Sequence, residues 1–234
     1  MRRDIPVLRR LIKVSVAVIG LGLAVTACGR VEMGAAAIYG NQRITIANLD
    51  TEVTNLSQAA KQYPGVVNLT PTQETQETLT WLVRFQVNEE IARQAGITIS
   101  AAQEEAGLAL VYDSAKSEAE AEGLSKVTLN LIMAANGIPP NQYLELGRYQ
   151  AIETQFIENG NGGTIPTSSS AQAASTKQFQ HAQCVAAKAL NILINPQFGR
   201  MDYSTYLVVS APATVSRPEG PAAAPSLSGL APAC

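Results

Sequence analysis

Aromatic residues are scarce in this sequence, at 5% of 234 positions, although hydrophobic residues of all kinds make up 46%. Alanine therefore accounts for much of the hydrophobic content, and such a composition favours helices over a β-sandwich or β-barrel. A chain of this length corresponds to one domain, or to one domain with tails. The composition predicts a mainly α fold with enough apolar residues for a core.

Residues and motifs that carry catalytic chemistry are also scarce. His181 is the single histidine, and His181 with Cys184 supplies fewer ligands than a zinc site needs. The sequence has no Gly-x-Ser-x-Gly, no Cys-x-x-Cys and no glycine-rich phosphate loop. Glu118, Glu120 and Glu122 alternate near a predicted helix end, where a solvated face is expected rather than a catalytic pair. We therefore expect no enzyme activity, no cofactor and no metal.

A hydrophobic run long enough to span a membrane is missing as well. The longest apolar run near the N-terminus covers residues 14–25 and would rise only about 18 Å as a helix. A bilayer core is about 30 Å thick. Residues 1–13 before the run are basic, which is typical of a secretory signal. The signal predicts export; the general secretory route is favoured over the twin-arginine route because Leu8 fits poorly before Arg9-Arg10.

The residues that end this run resemble the lipobox of bacterial lipoproteins, Val25-Thr26-Ala27-Cys28. The resemblance implies that residues 1–27 are removed and that Cys28 is lipidated. Two or more acyl chains hold a protein stably to a bilayer. An ordinary secretory signal with a coincidental cysteine is the alternative. The expected location is the outer face of the cell membrane.

The charge of the predicted mature chain is negative. Residues 1–27 contain five basic residues and one acidic residue, so residues 28–234 retain 12 basic and 18 acidic side chains of the original 17 and 19. A chain of this charge has no electrostatic footprint for nucleic acid. Nucleic acid is therefore excluded as an expected partner.

Helix start and stop signals divide the mature chain. Thr70-Pro71-Thr72-Gln73 offers a capping box with proline at the first helical position, and Gly96 supplies a stop. Ser100 and Gln103 repeat the capping box. Helices are predicted from 46 to before Pro64, over 71–95, from 101 to Gly123, over a short segment around 127–133 capped by Ser125, from Pro139-Pro140 to about 159, and over 176–191.

Strands and loops account for the remainder. A strand, turn and return strand are predicted over 37–44, and further strands over 192–196 and 206–209. Residues near 160–175 are predicted to form a loop. The domain organisation is therefore a tether over 28–36, a domain over 37–209, and a disordered tail rich in proline and alanine over 210–234.

Three stretches resemble the N-terminal helical module of the SurA/PrsA foldases. They are residues 37–45 (strand, tight turn and Ile-Thr), residues 87–100 (helix end, Ala-Gly-Ile, then a Ser cap) and residues 137–156. The resemblance implies a SurA N-terminal-like helical domain in which a small β element joins the N- and C-terminal segments. It also implies chaperone-like binding of unfolded or exported polypeptides.

One feature departs from the foldase pattern. Foldases with prolyl isomerase activity insert a parvulin domain of about 90 residues after this module, whereas about sixteen loop residues follow Glu158 here. Isomerase activity is therefore not expected. The leading hypothesis is a non-enzymatic chaperone-like lipoprotein. The alternative is an envelope adaptor lipoprotein that binds one specific protein partner.

The candidate binding residues are aromatic: Trp81, Phe85, Tyr143, Tyr149 and Phe156. Trp81 and Phe85 are expected in the core, whereas the hydroxyls of Tyr143 and Tyr149 suit a wet boundary that could contact clients.

Cys184 and Cys234 remain once Cys28 is lipidated, and they are candidates for a disulfide outside the cytoplasm. A free Cys234 in the tail is the alternative, because spacing alone does not show approach.

Overall fold

The computed structural model describes residues 34–121, 123, 126–203 and 205–210. The described helices are α1 (Ile46–Ala60), α2 (Pro71–Ala95), α3 (Ala101–Ala121), α4 (Leu129–Ala135), α5 (Tyr143–Gly160) and α6 (Ser169–Leu190), with a 3-10 turn over Pro140–Gln142 before α5. The described strands are β1 (Ala35–Tyr39), β2 (Gln42–Thr45), β3 (Leu193–Ile194), β4 (Arg200–Asp202) and β5 (Leu207–Val209). The expected mainly α class is confirmed.

A small antiparallel sheet joins the two ends of the domain, as expected. Its strand order is β2-β1-β3, so the N-terminal hairpin pairs with a strand that follows the last helix. Ala37 lies opposite Ile44 on one side and opposite Ile194 on the other. Strands β4 and β5 form a separate antiparallel pair.

Helix α2 contacts α1, α5, α6 and β5, and its ends follow the predicted signals. The Thr70 hydroxyl accepts from the Gln73 backbone N–H at 3.3 Å, while the Gln73 side chain accepts from the Thr70 backbone N–H at 2.9 Å. Gly96 ends the helix in the left-handed region at φ 65°. The predicted stripe of Leu79, Val83, Val87 and Ile91 is buried in the main core. Each such side chain contributes about 1.5–3 kcal/mol of burial free energy.

Helices α3 and α5 cross at two glycines. A Cβ placed on Gly107 would collide with the Gly147 carbonyl oxygen, and a Cβ on Gly147 would collide with the Glu104 carbonyl oxygen. Only residues without a side chain allow the two backbones to approach this closely. The sequence patterns gave no indication of this crossing.

Arg148 ties the same crossing to α2. Its guanidinium donates to Glu104 on α3 at 2.8 Å and to Glu89 on α2 at 3.0 Å. Both carboxylates raise the pKa of Arg148 further above its ordinary range. Burial, followed by the charge of Glu89, raises the pKa of Glu145. Arg148 thus pairs with two carboxylates, and the charge of Glu89 acts on a third, Glu145.

Several predicted boundaries are wrong. Strand β1 begins at Ala35, two residues before the predicted start at residue 37. Both Ala35 and Ala36 are buried, so these two residues belong to the sheet and not to the predicted tether. Helix α4 is capped by Thr128, whose hydroxyl accepts from the Leu131 backbone N–H at 3.2 Å; the predicted cap, Ser125, lies outside the described residues. The predicted strand over 206–209 pairs with β4, which the sequence did not indicate.

The largest error concerns α6. Residues 169–175 are helical, not part of a loop, because Ser168 supplies a cap: its hydroxyl accepts from the Ala171 backbone N–H at 3.4 Å. Alanine then favours the helix through Ala173 and Ala174. The predicted loop near 160–175 therefore shrinks to the residues before Ser169.

The predicted signal segment over 1–27, Cys28, and the tail over 211–234 lie outside the described residues. Within the described part of the chain, no helix combines the length and the apolarity that a membrane span requires.

Candidate functional site

A cleft of about 520 Å³ opens where the end of α2 meets α5 and α6. We call it the α5–α6 cleft and define it by its lining residues: Ala95, Ile97, Phe156, Asn159, Gly160, Lys177, Gln178, His181 and Ala182. Its volume lies within the range of about 300–1,000 Å³ that is common for ligand pockets.

The floor of the α5–α6 cleft is apolar because of how α2 ends. Gly96 turns the chain in the left-handed conformation, and the Ile97 backbone N–H donates to the Ala92 carbonyl oxygen at 2.8 Å. This places Ile97 beside Phe156 of α5. Phe156 packs against the buried Phe179 with ring centroids 5.6 Å apart. The floor is thus backed by the main core.

The rim of the α5–α6 cleft is polar and basic. Lys177 and His181 are four residues apart on α6 and therefore lie on one face, and both are exposed. Asn159 and Gln178 add amide groups that can donate and accept hydrogen bonds. No aspartate or glutamate is among the lining residues.

The two tyrosines predicted to contact clients do not form one surface. Tyr149 lies six positions after Tyr143 on α5, which places the two side chains about 120° apart around the helix. Tyr143 is 42% exposed. The Tyr149 ring packs inward against Trp81 and Phe85, with centroids 5.8 and 6.4 Å away, and its hydroxyl accepts from Gln183 at 3.0 Å. Burial raises the pKa of Tyr149, and the charge of Glu153 adds to the rise.

Trp81 and Phe85 differ in their exposure. Phe85 is buried at 4% exposure, as expected of a core residue. Trp81 is half-buried; its indole N–H donates to the Asn136 carbonyl oxygen at 2.8 Å, and the Arg84 guanidinium lies 5.0 Å from its ring centroid. These contacts engage the Trp81 ring, and Trp81 is not among the residues that line the α5–α6 cleft.

Cys184 is buried and forms a disulfide. The two other cysteines of the chain, Cys28 and Cys234, lie outside the described residues, so the Cys184–Cys234 pair stays a prediction. His181 is exposed on the cleft rim, three residues before Cys184. Among the residues that the structure describes, no group of three or more His, Cys, Asp or Glu is placed to hold a metal ion.

A second cleft, of about 560 Å³, lies between the start of α2 and the segment from β3 to β4. Its lining is mixed, with polar side chains such as Gln76 and Gln197 beside the apolar Pro71, Pro196 and Phe198. Gln76 donates to the Ser210 hydroxyl across it at 3.0 Å. It offers less apolar surface than the α5–α6 cleft and is a weaker candidate for binding apolar segments.

Comparison with known proteins adds no relative. The chain matches no protein-family model, no curated protein and no solved structure. The resemblance to the SurA/PrsA foldases therefore stays a prediction from sequence motifs.

Proposed function

We propose that this protein is a membrane-anchored extracytoplasmic lipoprotein that binds apolar segments of exported polypeptides in the manner of a chaperone, without catalysis. The anchor is the lipid on Cys28, at the outer face of the cell membrane. The SurA N-terminal-like identity of the helical domain is part of the same proposal. The observation that carries it is the α5–α6 cleft, which joins an apolar floor to a polar rim.

The size of the α5–α6 cleft favours weak, reversible binding. A fully buried leucine or phenylalanine gains about 1.5–3 kcal/mol, and a cleft of this volume admits only a few side chains. Association costs about 4–15 kcal/mol in lost freedom. One segment therefore binds loosely, whereas a lipid tether that keeps the protein near emerging chains raises the effective concentration.

Aggregation of an unfolded client tests the proposal. The parent protein is the chain from residue 28 onward with Cys28→Ser, kept under non-reducing conditions. Ala182→Gln adds a polar side chain to the lining of the α5–α6 cleft, whereas Ala173→Gln makes the same change at an exposed position of α6. We expect the parent and Ala173→Gln to suppress light scattering equally. Ala182→Gln should need about fivefold more protein, because it buries an unpaired amide against the client.

Two results would contradict parts of the proposal. If the parent leaves several unrelated clients unprotected, general chaperoning is wrong, and stoichiometric co-purification with one envelope protein would favour the adaptor alternative. If the parent accelerates a proline-limited refolding reaction, the expectation of no isomerase activity is wrong.

A further inference from the structure

The rim of the α5–α6 cleft carries the ammonium group of Lys177 and the imidazole of His181. Elsewhere in the described residues, Arg93, Lys116 and Arg148 each pair with a glutamate. Within the same described ranges, no ion pair engages Lys177 or His181. Both side chains are exposed at the mouth of an apolar pocket, where they can pair with an incoming anion.

We propose that the α5–α6 cleft prefers extended polypeptide segments in which an apolar side chain lies next to an aspartate or glutamate. The apolar side chain would fill the floor formed by Ile97 and Phe156. The carboxylate would meet Lys177 and His181 at the rim. This inference rests on the proposed polypeptide-binding role of the same cleft and names its ligand class.

The remaining rim groups favour a polypeptide over a simple alkyl anion. A bound extended segment brings backbone N–H and C=O groups that need partners once they leave water. The side-chain amide of Gln178 supplies a donor and an acceptor at the rim, and Asn159 supplies its Nδ2 donor, since its Oδ1 already accepts from Gln155 at 3.2 Å. A fatty acid would use the floor and Lys177 but would offer no backbone group to these amides.

The overall negative charge of the mature chain does not oppose this preference. Charges more than about 10 Å apart are largely screened at 0.1 M salt. The nearest acidic neighbours in sequence, Glu153 and Glu158, lie on α5 but do not line the cleft. A carboxylate at the rim can contact Lys177 and His181 directly, whereas neither glutamate lines the cleft.

Blocked hexapeptides that differ at one position test the preference. Each contains two leucines followed by glutamate, glutamine or lysine, and NMR titration gives the dissociation constant with the parent protein. We expect the glutamate peptide to bind about two- to fivefold more tightly than the glutamine peptide, as for an exposed ion pair, and the lysine peptide to bind most weakly. Sodium chloride at 1 M should remove the difference.

Matched variants locate the effect. Lys177→Gln should abolish the glutamate preference, so that the glutamate and glutamine peptides bind this variant equally, whereas Lys61→Gln removes an exposed lysine outside the cleft and should leave the preference unchanged. Equal binding of all three peptides overturns the preference but leaves the proposed function standing. If no peptide binds while laurate does, both the preference and the polypeptide-binding role of the cleft are wrong.

Discussion

Helix α5 packs in opposite ways on its two sides. Toward α3 the helices approach so closely that a Cβ on Gly147 would collide with the facing backbone. Toward α6 the end of α5 leaves the α5–α6 cleft open. There a Cβ on Gly160 would meet only the side-chain oxygen of Gln178, at an ordinary 3.6 Å. One helix thus provides both a closed junction and one wall of the α5–α6 cleft.

Gly147 and Gly160 differ in whether a neighbouring backbone lies close to them. A glycine inside a helix costs about 0.5–1 kcal/mol relative to alanine. At Gly147 that cost is offset by close backbone packing. At Gly160, the last residue of α5, no backbone lies opposite, and the missing side chain leaves the cleft open. The side of α5 that faces α3 therefore packs backbone against backbone, whereas the side that faces α6 does not at Gly160.

Gly147→Ala should break the closed side and give the largest effect. The added methyl group has no space beside the Glu104 carbonyl oxygen, so α3 and α5 must separate. We expect the free energy of unfolding to fall by about 2–3 kcal/mol, the usual cost of overpacking. Urea denaturation followed by circular dichroism would measure it.

Gly160→Ala is the matched control on the same helix. Its Cβ meets no backbone, and alanine favours the helix, so stability should stay the same or rise by about 0.5–1 kcal/mol. Equal losses in the two variants would mean that the α3–α5 crossing is looser than described.

Arg148→Met should weaken the same junction by a smaller amount. The change removes the half-buried guanidinium that pairs with Glu89 and Glu104 and leaves their charges facing Glu145. We expect a loss of about 1–2 kcal/mol in the free energy of unfolding. Arg93→Met removes an exposed pair within one helix and should cost less. A larger loss for Arg93→Met would argue against the ion-pair cluster as the link.

Local signals were enough to predict much of the fold. The ends of α2 follow from Thr70 and Gly96, because a cap is decided by neighbouring residues. Strand β4 could not be found in this way. Its partner β5 is held where the Val208 backbone N–H donates to the Thr80 hydroxyl of α2 at 2.9 Å, a contact that depends on packing between distant segments.

The candidate site was predictable only in part. Phe156 was among the aromatic candidates, but periodicity does not tell which neighbour a half-buried ring faces. His181 stood out only as the single histidine and Lys177 gave no signal, because their placement at the cleft depends on how α6 lies against α5. Tyr149 was expected at a wet boundary, yet its ring completes an aromatic cluster whose other members are on α2. The surroundings of each of these residues depend on tertiary packing, which the sequence pattern does not reveal.

Glu153→Gln should give the smallest change, and in the stabilising direction. Burial on α5 raises the pKa of Glu153 above its ordinary 4.5, so the folded state favours the protonated form. That contribution is complete below pH 4.5 and is lost as pH rises through the folded pKa, because the buried carboxylate must then be charged. Glutamine should therefore raise the free energy of unfolding at pH 7 by about 0.5 kcal/mol and change it little at pH 4. Denaturation at both pH values, beside the exposed control Glu118→Gln, would measure this; a gain confined to pH 4 would contradict the burial of Glu153.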